Sequence, residues 1–224
     1  MTSIDKTEVV IETPFAATRL NQRWLRAYIT FNQIIIWFVF RLLSKIIGAK
    51  ITSTVRSNDT KSAKNYIILS NHQSILDPFF ITTQLPMRAW LRIAPIRFLA
   101  YNQLFDTWYK RWALISWGAY PAYASERLPY GLGFAETVLR AGGSVTIFPE
   151  GKRTAPGAIP ARSGATVLAN LPDTEVISAH IHWDRRGIVA RTYRLHLAKP
   201  ESMAGKTAQE MLDAIYALPL PEEK

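Results

Sequence analysis

The chain predicts an α/β fold, a mostly parallel sheet flanked by helices, preceded by an N-terminal amphipathic and hydrophobic membrane-anchoring helical segment. Three observations carry this expectation. Short apolar runs alternate with segments of helical periodicity, the pattern of strand–helix–strand units. One long segment, 23–51, is rich in Trp, Ile, Phe, Val and Leu and carries cations at both ends. No repeat, low-complexity tract or Pro/Ser-rich linker divides the 224 residues, so one body with one appendage is expected, split as 1–50 and 51–224.

The segment 23–51 reads as one helix. Its longest charge-free stretch, 27–40, is interrupted by Asn32 and Gln33 and falls short of the roughly 20 apolar residues that a span requires. Arg41 would be costly at the centre of a bilayer. Arg23, Arg26, Arg41, Lys45 and Lys50 can instead reach lipid phosphates while the apolar body lies below them. A monotopic anchor is expected, with a tilted span as the alternative. Strands are expected at 52–56, 66–69, 90–93, 144–148, 176–182 and 191–197, and helices at 76–84, 96–116, 132–141, 164–170 and 208–216. Gly142-Gly143 closes one of those helices and leads into the strand at 144. Within 96–116, Phe98, Tyr101, Phe105, Trp108, Trp112 and Ile115 recur at helical spacing. That stripe either packs on the sheet or, with Trp90, Trp117 and the nearby Arg88, Arg92, Arg97, Lys110 and Arg111, meets lipid headgroups or lines an acyl groove. The tail 219–224 is expected to fray.

Composition narrows the chemistry. The absence of cysteine excludes disulfides, thiolate nucleophiles and Cys-ligated metals. Residues 1–22 mix Asp5, Glu8, Glu12 and Pro14 with no apolar signal-peptide core, which places the chain on the cytoplasmic face of the inner or plasma membrane. The net charge of +10, from 27 basic and 17 acidic residues, admits nucleic acid, anionic lipid or an acidic protein as partner. No zinc finger, RNP string or Gly-x-x-Gly clamp is present, so no nucleic-acid partner is expected. The cations flank the apolar segments, which favours the anionic headgroups of membrane lipids.

Two strings carry the chemistry. Asn71-His72-Gln73-Ser74-Ile75-Leu76-Asp77 follows the apolar run 66–69 and sets a possible general base five residues before a carboxylate. Five residues of a straight helix leave two side chains about 140° apart. His72 and Asp77 therefore meet only if His72 lies in the turn before a helix that Asp77 has entered. Asp77 would then fix one imidazole nitrogen, leaving the other to take a proton. Ser74 lacks a Gly-x-Ser-x-Gly elbow and is read as a local hydrogen bonder or helix cap. The second string, Phe148-Pro149-Glu150-Gly151-Lys152-Arg153-Thr154, ends another apolar run. Gly151 permits a close backbone approach and Arg153 offers a planar fork for phosphate oxygens. His180, His182 and His196 show no partner spacing and read as structural hydrogen bonders.

Together, in this order, the strings resemble the glycerophospholipid acyltransferase family, whose signatures are an Asn-His-(x)4-Asp block and a Phe-Pro-Glu-Gly-x-Arg block. The resemblance spans roughly residues 52–182. It implies transfer of a fatty acyl group from acyl-CoA or acyl-carrier protein to the hydroxyl of a lysophospholipid, as in 1-acylglycerol-3-phosphate acyltransferases, with His72 as base and Asp77 as its partner. It further implies acceptor binding by Asn71, Glu150, Gly151 and Arg153, with Asn71 or main-chain donors at the oxyanion, and no cofactor or metal beyond the acyl donor. Two blocks depart from the pattern. The resemblance also implies substrate binding by Gly118 and Arg127: Gly118-Ala119-Tyr120-Pro121-Ala122-Tyr123-Ala124 keeps the glycine of a phosphate-recognising block, but Ala124 stands where its arginine is usual, and Arg127 is the nearest substitute. Val176-Ile177-Ser178-Ala179 has Ser178 where a proline is usual, while Arg162-Ser163-Gly164 resembles the basic residue and glycine that follow the Glu-Gly block. Alternatives are acylation of another lyso-lipid, motivated by Ala124, and a non-catalytic lipid-binding relative.

Overall fold

The computed structural model describes residues 23–122, 130–153, 155, 159–186 and 190–222. Its strands are β1 (Lys50–Ser53), β2 (Asn65–Ser70), β3 (Ile96–Tyr101), β4 (Ala119–Ala122), β5 (Ser144–Ile147), β6 (Thr174–Arg186) and β7 (Ala190–Leu197). The helices are α1 (Arg23–Ile46), α2 (Asp77–Thr82), α3 (Met87–Ile93), α4 (Trp108–Ser116), α5 (Tyr130–Arg140), α6 (Gly164–Ala169) and α7 (Ala208–Tyr216). Among the described residues the strands form one sheet in the order β1-β7-β6-β2-β5-β3-β4. Neighbours run parallel except β6 and β7. The expected α/β class, a mostly parallel sheet between helices, is the one observed.

Helices cover both faces of the sheet, so its central strands are buried on both sides, as in other parallel sheets. All six residues of β2 are buried. Ile68, Ile177, Ile181, Tyr193 and Leu195 pack with Trp37 of α1, Phe80 and Ile81 of α2 and Trp90 of α3. On the other face Ile67, Leu69, Val145 and Val176 pack with Leu139 of α5, Leu168 of α6 and Met211, Leu212 and Ile215 of α7.

Two elements differ from the sequence expectation. Residues 90–93 were expected as a strand but lie in α3, where Ala89, Trp90 and Ile93 are buried and Leu91 and Arg92 face outward. A short apolar run is ambiguous in period, and Pro86 at the N-cap favours the helix. The helix expected over 96–116 is two elements. Ile96 and Phe98 are buried on one side of β3, while Arg97 alternates to the other. There, burial chiefly, with Arg26 adding to it, lowers the Arg97 pKa to about 10. The helix begins only at Trp108. The aromatic stripe is accordingly split: Phe105 and Ile115 are buried, whereas Trp108 is 75% exposed. The strand β4 was not foreseen.

The first helix is long and apolar enough to cross a membrane, about 36 Å at 1.5 Å per residue. It is nevertheless docked on the body along its length. Leu25, Ile29, Gln33, Trp37 and Ser44 form one buried stripe, and the three apolar members contribute about 6 kcal/mol by burial. Polar ties add to this. Gln33 donates to Ile96 O and Trp117 O at 2.6 and 2.8 Å and accepts from Ile96 N–H at 3.0 Å. Arg41 donates to Thr83 O at 3.1 Å, and Ser44 bonds the Tyr193 hydroxyl at 2.6 Å. The opposite face leaves Trp24, Phe31, Ile35, Phe38, Leu42 and Ile46 exposed. The division expected between residues 50 and 51 falls at the start of β1.

Candidate active site

The two strings meet because of strand register. β2 and β5 are parallel neighbours with Leu69 opposite Ile147. Three residues beyond each partner lie His72 and Glu150, so the carboxyl ends of the two strands deliver them side by side, where open α/β sheets form their sites. On the other flank Leu69 pairs with Ser178 and Ser70 with Ala179, which carries Ile181 and Trp183 past the first string.

His72 lies in the turn between β2 and α2, and Asp77 is the first residue of α2, the layout that a contact between them demands. The Asp77 side chain is 0% exposed and that of His72 17%. Their atoms Oδ2 and Nδ1 are 2.9 Å apart. A carboxylate oxygen accepts, so Nδ1 carries the proton and Nε2 is the basic nitrogen. The same Oδ2 accepts the N–H groups of Gln73 and Ser74, each at 2.7 Å, and Oδ1 accepts Nε1–H of Trp183 at 2.8 Å. Burial of a carboxylate is costly unless its oxygens are satisfied, and here both are. The imidazole stacks on Phe148 with ring centroids 4.0 Å apart. Ser74 Oγ accepts Leu76 N–H at 3.3 Å, a local turn bond.

Three residues expected at the ligand contact the protein itself. Glu150, expected to hold the acceptor, is 0% exposed; its Oε2 accepts the His72 N–H at 2.9 Å and its Oε1 the Tyr216 hydroxyl at 2.7 Å. Asn71, expected as a donor to substrate, is also buried and clamps β6, donating to Ile181 O at 2.8 Å and accepting Ile181 N–H at 2.9 Å. Gly118 sits beneath α1, where a Cβ would fall 2.4 Å from Gln33 Nε2. Gly151 and Arg153 are exposed beside the His72 turn. Gly151 has φ +69 and donates to Phe148 O at 2.9 Å; a Cβ there would strike the Arg162 side chain at 2.7 Å. The stem of Arg162 therefore lies on Gly151, and its N–H donates to Pro149 O at 2.8 Å. Lys152, Arg153 and Arg162 are all exposed, and the Arg162 side chain packs at Gly151, next in the chain to Lys152 and Arg153. Arg127 and Ala124 lie outside the described residues.

Of the remaining histidines, His180 and His196 serve the C-terminal tail, while His182 Nε2 lies 3.5 Å from Asp184 Oδ1. His180 Nδ1 donates to Leu218 O at 2.9 Å and His196 Nδ1 to Pro219 O at 2.7 Å. Burial lowers the His180 pKa below its ordinary value, opposed by the bond to Leu218 O and assisted by His182, His196 and Arg194.

Sequence reasoning missed Trp183 and Tyr216. Both are distant in sequence from the motif strings, Trp183 on the neighbouring strand β6 and Tyr216 at the end of α7, and neither has a local motif. Trp183→Phe keeps the ring that packs against Phe80 and Tyr193 at 5.2 Å but removes the donor to Asp77. A hydrogen bond to a charged group contributes about 2 kcal/mol, so denaturant unfolding is expected to show that loss.

A family model described as Acyltransferase matches residues 52–182, more than half of the chain. No curated protein matches it in sequence. Nine chains of solved structures match. Among them the 1-acyl-sn-glycerophosphate (LPA) acyltransferase PlsC from Thermotoga maritima aligns with a TM-score of 0.56 at 17% identity, over 82% of this chain and 76% of that one. At that identity the likeness speaks for the fold.

Proposed function

The chain belongs to the Acyltransferase family, and from that premise we propose that it is a membrane-associated glycerolipid acyltransferase, moving a fatty acyl group from acyl-CoA or acyl-carrier protein to the free hydroxyl of a lysophospholipid, with lysophosphatidic acid giving phosphatidic acid. The observation that carries this reading is the His72–Asp77 pair, with the carboxylate fully buried and the ring part-exposed. Nε2 of His72 takes the proton of the acceptor hydroxyl as its oxygen bonds to the thioester carbonyl carbon. Asp77 stabilises the imidazolium that forms. The tetrahedral intermediate collapses, the carbon–sulfur bond breaks, and the imidazolium returns its proton to the departing thiolate. Arg153, with Lys152 and Arg162 beside it, would hold the acceptor phosphate, and Gly151 lets the chain approach it.

The exposed face of α1 supports delivery of the acceptor from a membrane. Its apolar side chains point away from the body while Gln33, Arg41 and Ser44 tie the helix down. A spanning helix would have to break those ties, so a monotopic attachment fits best.

The test is thiol release in liposomes with acyl-CoA or acyl-carrier protein and a panel of lyso-lipids. Turnover with lysophosphatidic acid is the expected result. Turnover only with a different lyso-lipid would keep the chemistry and move the headgroup, as Ala124 in place of an arginine would allow. No turnover with any pair would overturn the reading in favour of a lipid-binding protein.

A further inference from the structure

Among the described residues Glu150 and Asp77 are the fully buried carboxyl groups, each 0% exposed. The two oxygens of Glu150 are used inward. Oε2 takes the main-chain N–H of His72 at 2.9 Å, and Oε1 takes the hydroxyl of Tyr216 at 2.7 Å, a short charge-assisted bond. Tyr216 is the last residue of α7, far from both motif strings in sequence.

The position of that hydroxyl is set from two directions. Along α7, Ala208, Met211, Leu212 and Ile215 are buried on one stripe, and Thr207 with Glu210 closes a capping box at the start of the helix. Beyond it the tail is strapped to the sheet edge by side chains of three strands. His180 of β6 and His196 of β7 donate to Leu218 O and Pro219 O, and Lys50 of β1 donates to Glu222 O at 2.8 Å. The His180 ring also stands edge-on to Tyr216, 5.4 Å between centroids. The phenol is therefore aimed at a carboxylate that is itself bonded to the main chain of the base.

We propose that Tyr216 is a positioning residue for His72: its hydroxyl fixes the Glu150 carboxylate, Glu150 fixes the His72 main chain, and the C-terminal helix thereby sets the reach of the imidazole. This inference rests on the reading of His72 as the base in acyl transfer. Asp77 holds the ring from one side, and the Tyr216–Glu150 pair holds the backbone from which the ring hangs.

Tyr216→Phe keeps the ring and its packing and deletes the oxygen. A misplacement of the reacting groups costs up to about a hundredfold, so kcat is expected to fall between about tenfold and a hundredfold with KM within about twofold. In combination with Glu150→Gln the losses should not multiply, because both act through one chain of bonds. A readout independent of activity is the NMR shift of the His72 amide proton, which should move upfield in Tyr216→Phe as its acceptor loosens. Ile215→Val, a buried neighbour on the same helix, is the control for destabilisation alone. If wild type shows no acyl transfer, the functional reading fails while the amide shift still tests the positioning. The proposal is overturned if Tyr216→Phe leaves the amide shift unchanged, if the double variant multiplies the two losses, or if Ile215→Val matches the kcat loss.

Discussion

His72→Ala is expected to lower kcat for acyl transfer by about 10³-fold, the range of a general base removed from its transition state. KM should stay within about twofold, since Nε2 engages the acceptor proton only as the new bond forms. The structure gives a reason to expect a folded variant. Asp77 keeps three donors without the imidazole, the N–H groups of Gln73 and Ser74 and Nε1–H of Trp183, so the turn retains its shape. The part-exposed ring leaves a gap against Phe148 that water can enter. Thiol release with the preferred lyso-lipid, alongside thermal unfolding, separates lost chemistry from lost structure. Equal turnover in the variant and wild type would remove His72 from the mechanism.

Gly118→Ala should be the most damaging small substitution to stability, lowering it by about 3–5 kcal/mol. Gly118 has φ +97, a region that costs an L-residue about 1–2 kcal/mol. A methyl there would also stand 2.4 Å from Gln33 Nε2 and 2.6 Å from Ile96 O. The second of these atoms is main chain of β3 and cannot step aside. Gln33 would have to release its bonds to Ile96 and Trp117, leaving buried polar groups unpaired at about 1–3 kcal/mol each. For a chain of this size the melting temperature should drop by roughly 10 °C. An unchanged melting temperature would mean that α1 is not fastened as described. The glycine of the third motif block is, on this account, an anchor point for the first helix.

Much of this was legible in the sequence, and the limits follow from where the information resides. The alternation of short apolar runs with segments of period 3.6 pointed to the class of fold, and the requirement that His72 sit in a turn before the helix of Asp77 is met by α2 starting at Asp77. Residues 90–93 and 96–101 exchanged types because a handful of apolar residues fits either period. What settles them is Pro86 in one case and pairing with β5 and β4 in the other. Glu150 and Asn71 were expected at the ligand because they belong to the two motif blocks of the resemblance. Their partners are distant in sequence, Ile181 on the neighbouring strand β6 and Tyr216 at the end of α7, and no local pattern announces either. Trp183 was invisible for the same reason.

The Leu69–Ile147 register has a consequence for how such a chain can change length. Each motif hangs a fixed number of residues past its strand, so the two strands act as the paired scales of a vernier, and inserting or deleting one residue in either would turn the motif to the wrong face of the sheet. The opposite margin of the sheet carries no such constraint. The segment 54–64, which enters β2 from behind, does not set that register, and what holds its length is its own packing, with Val55 and Thr60 buried.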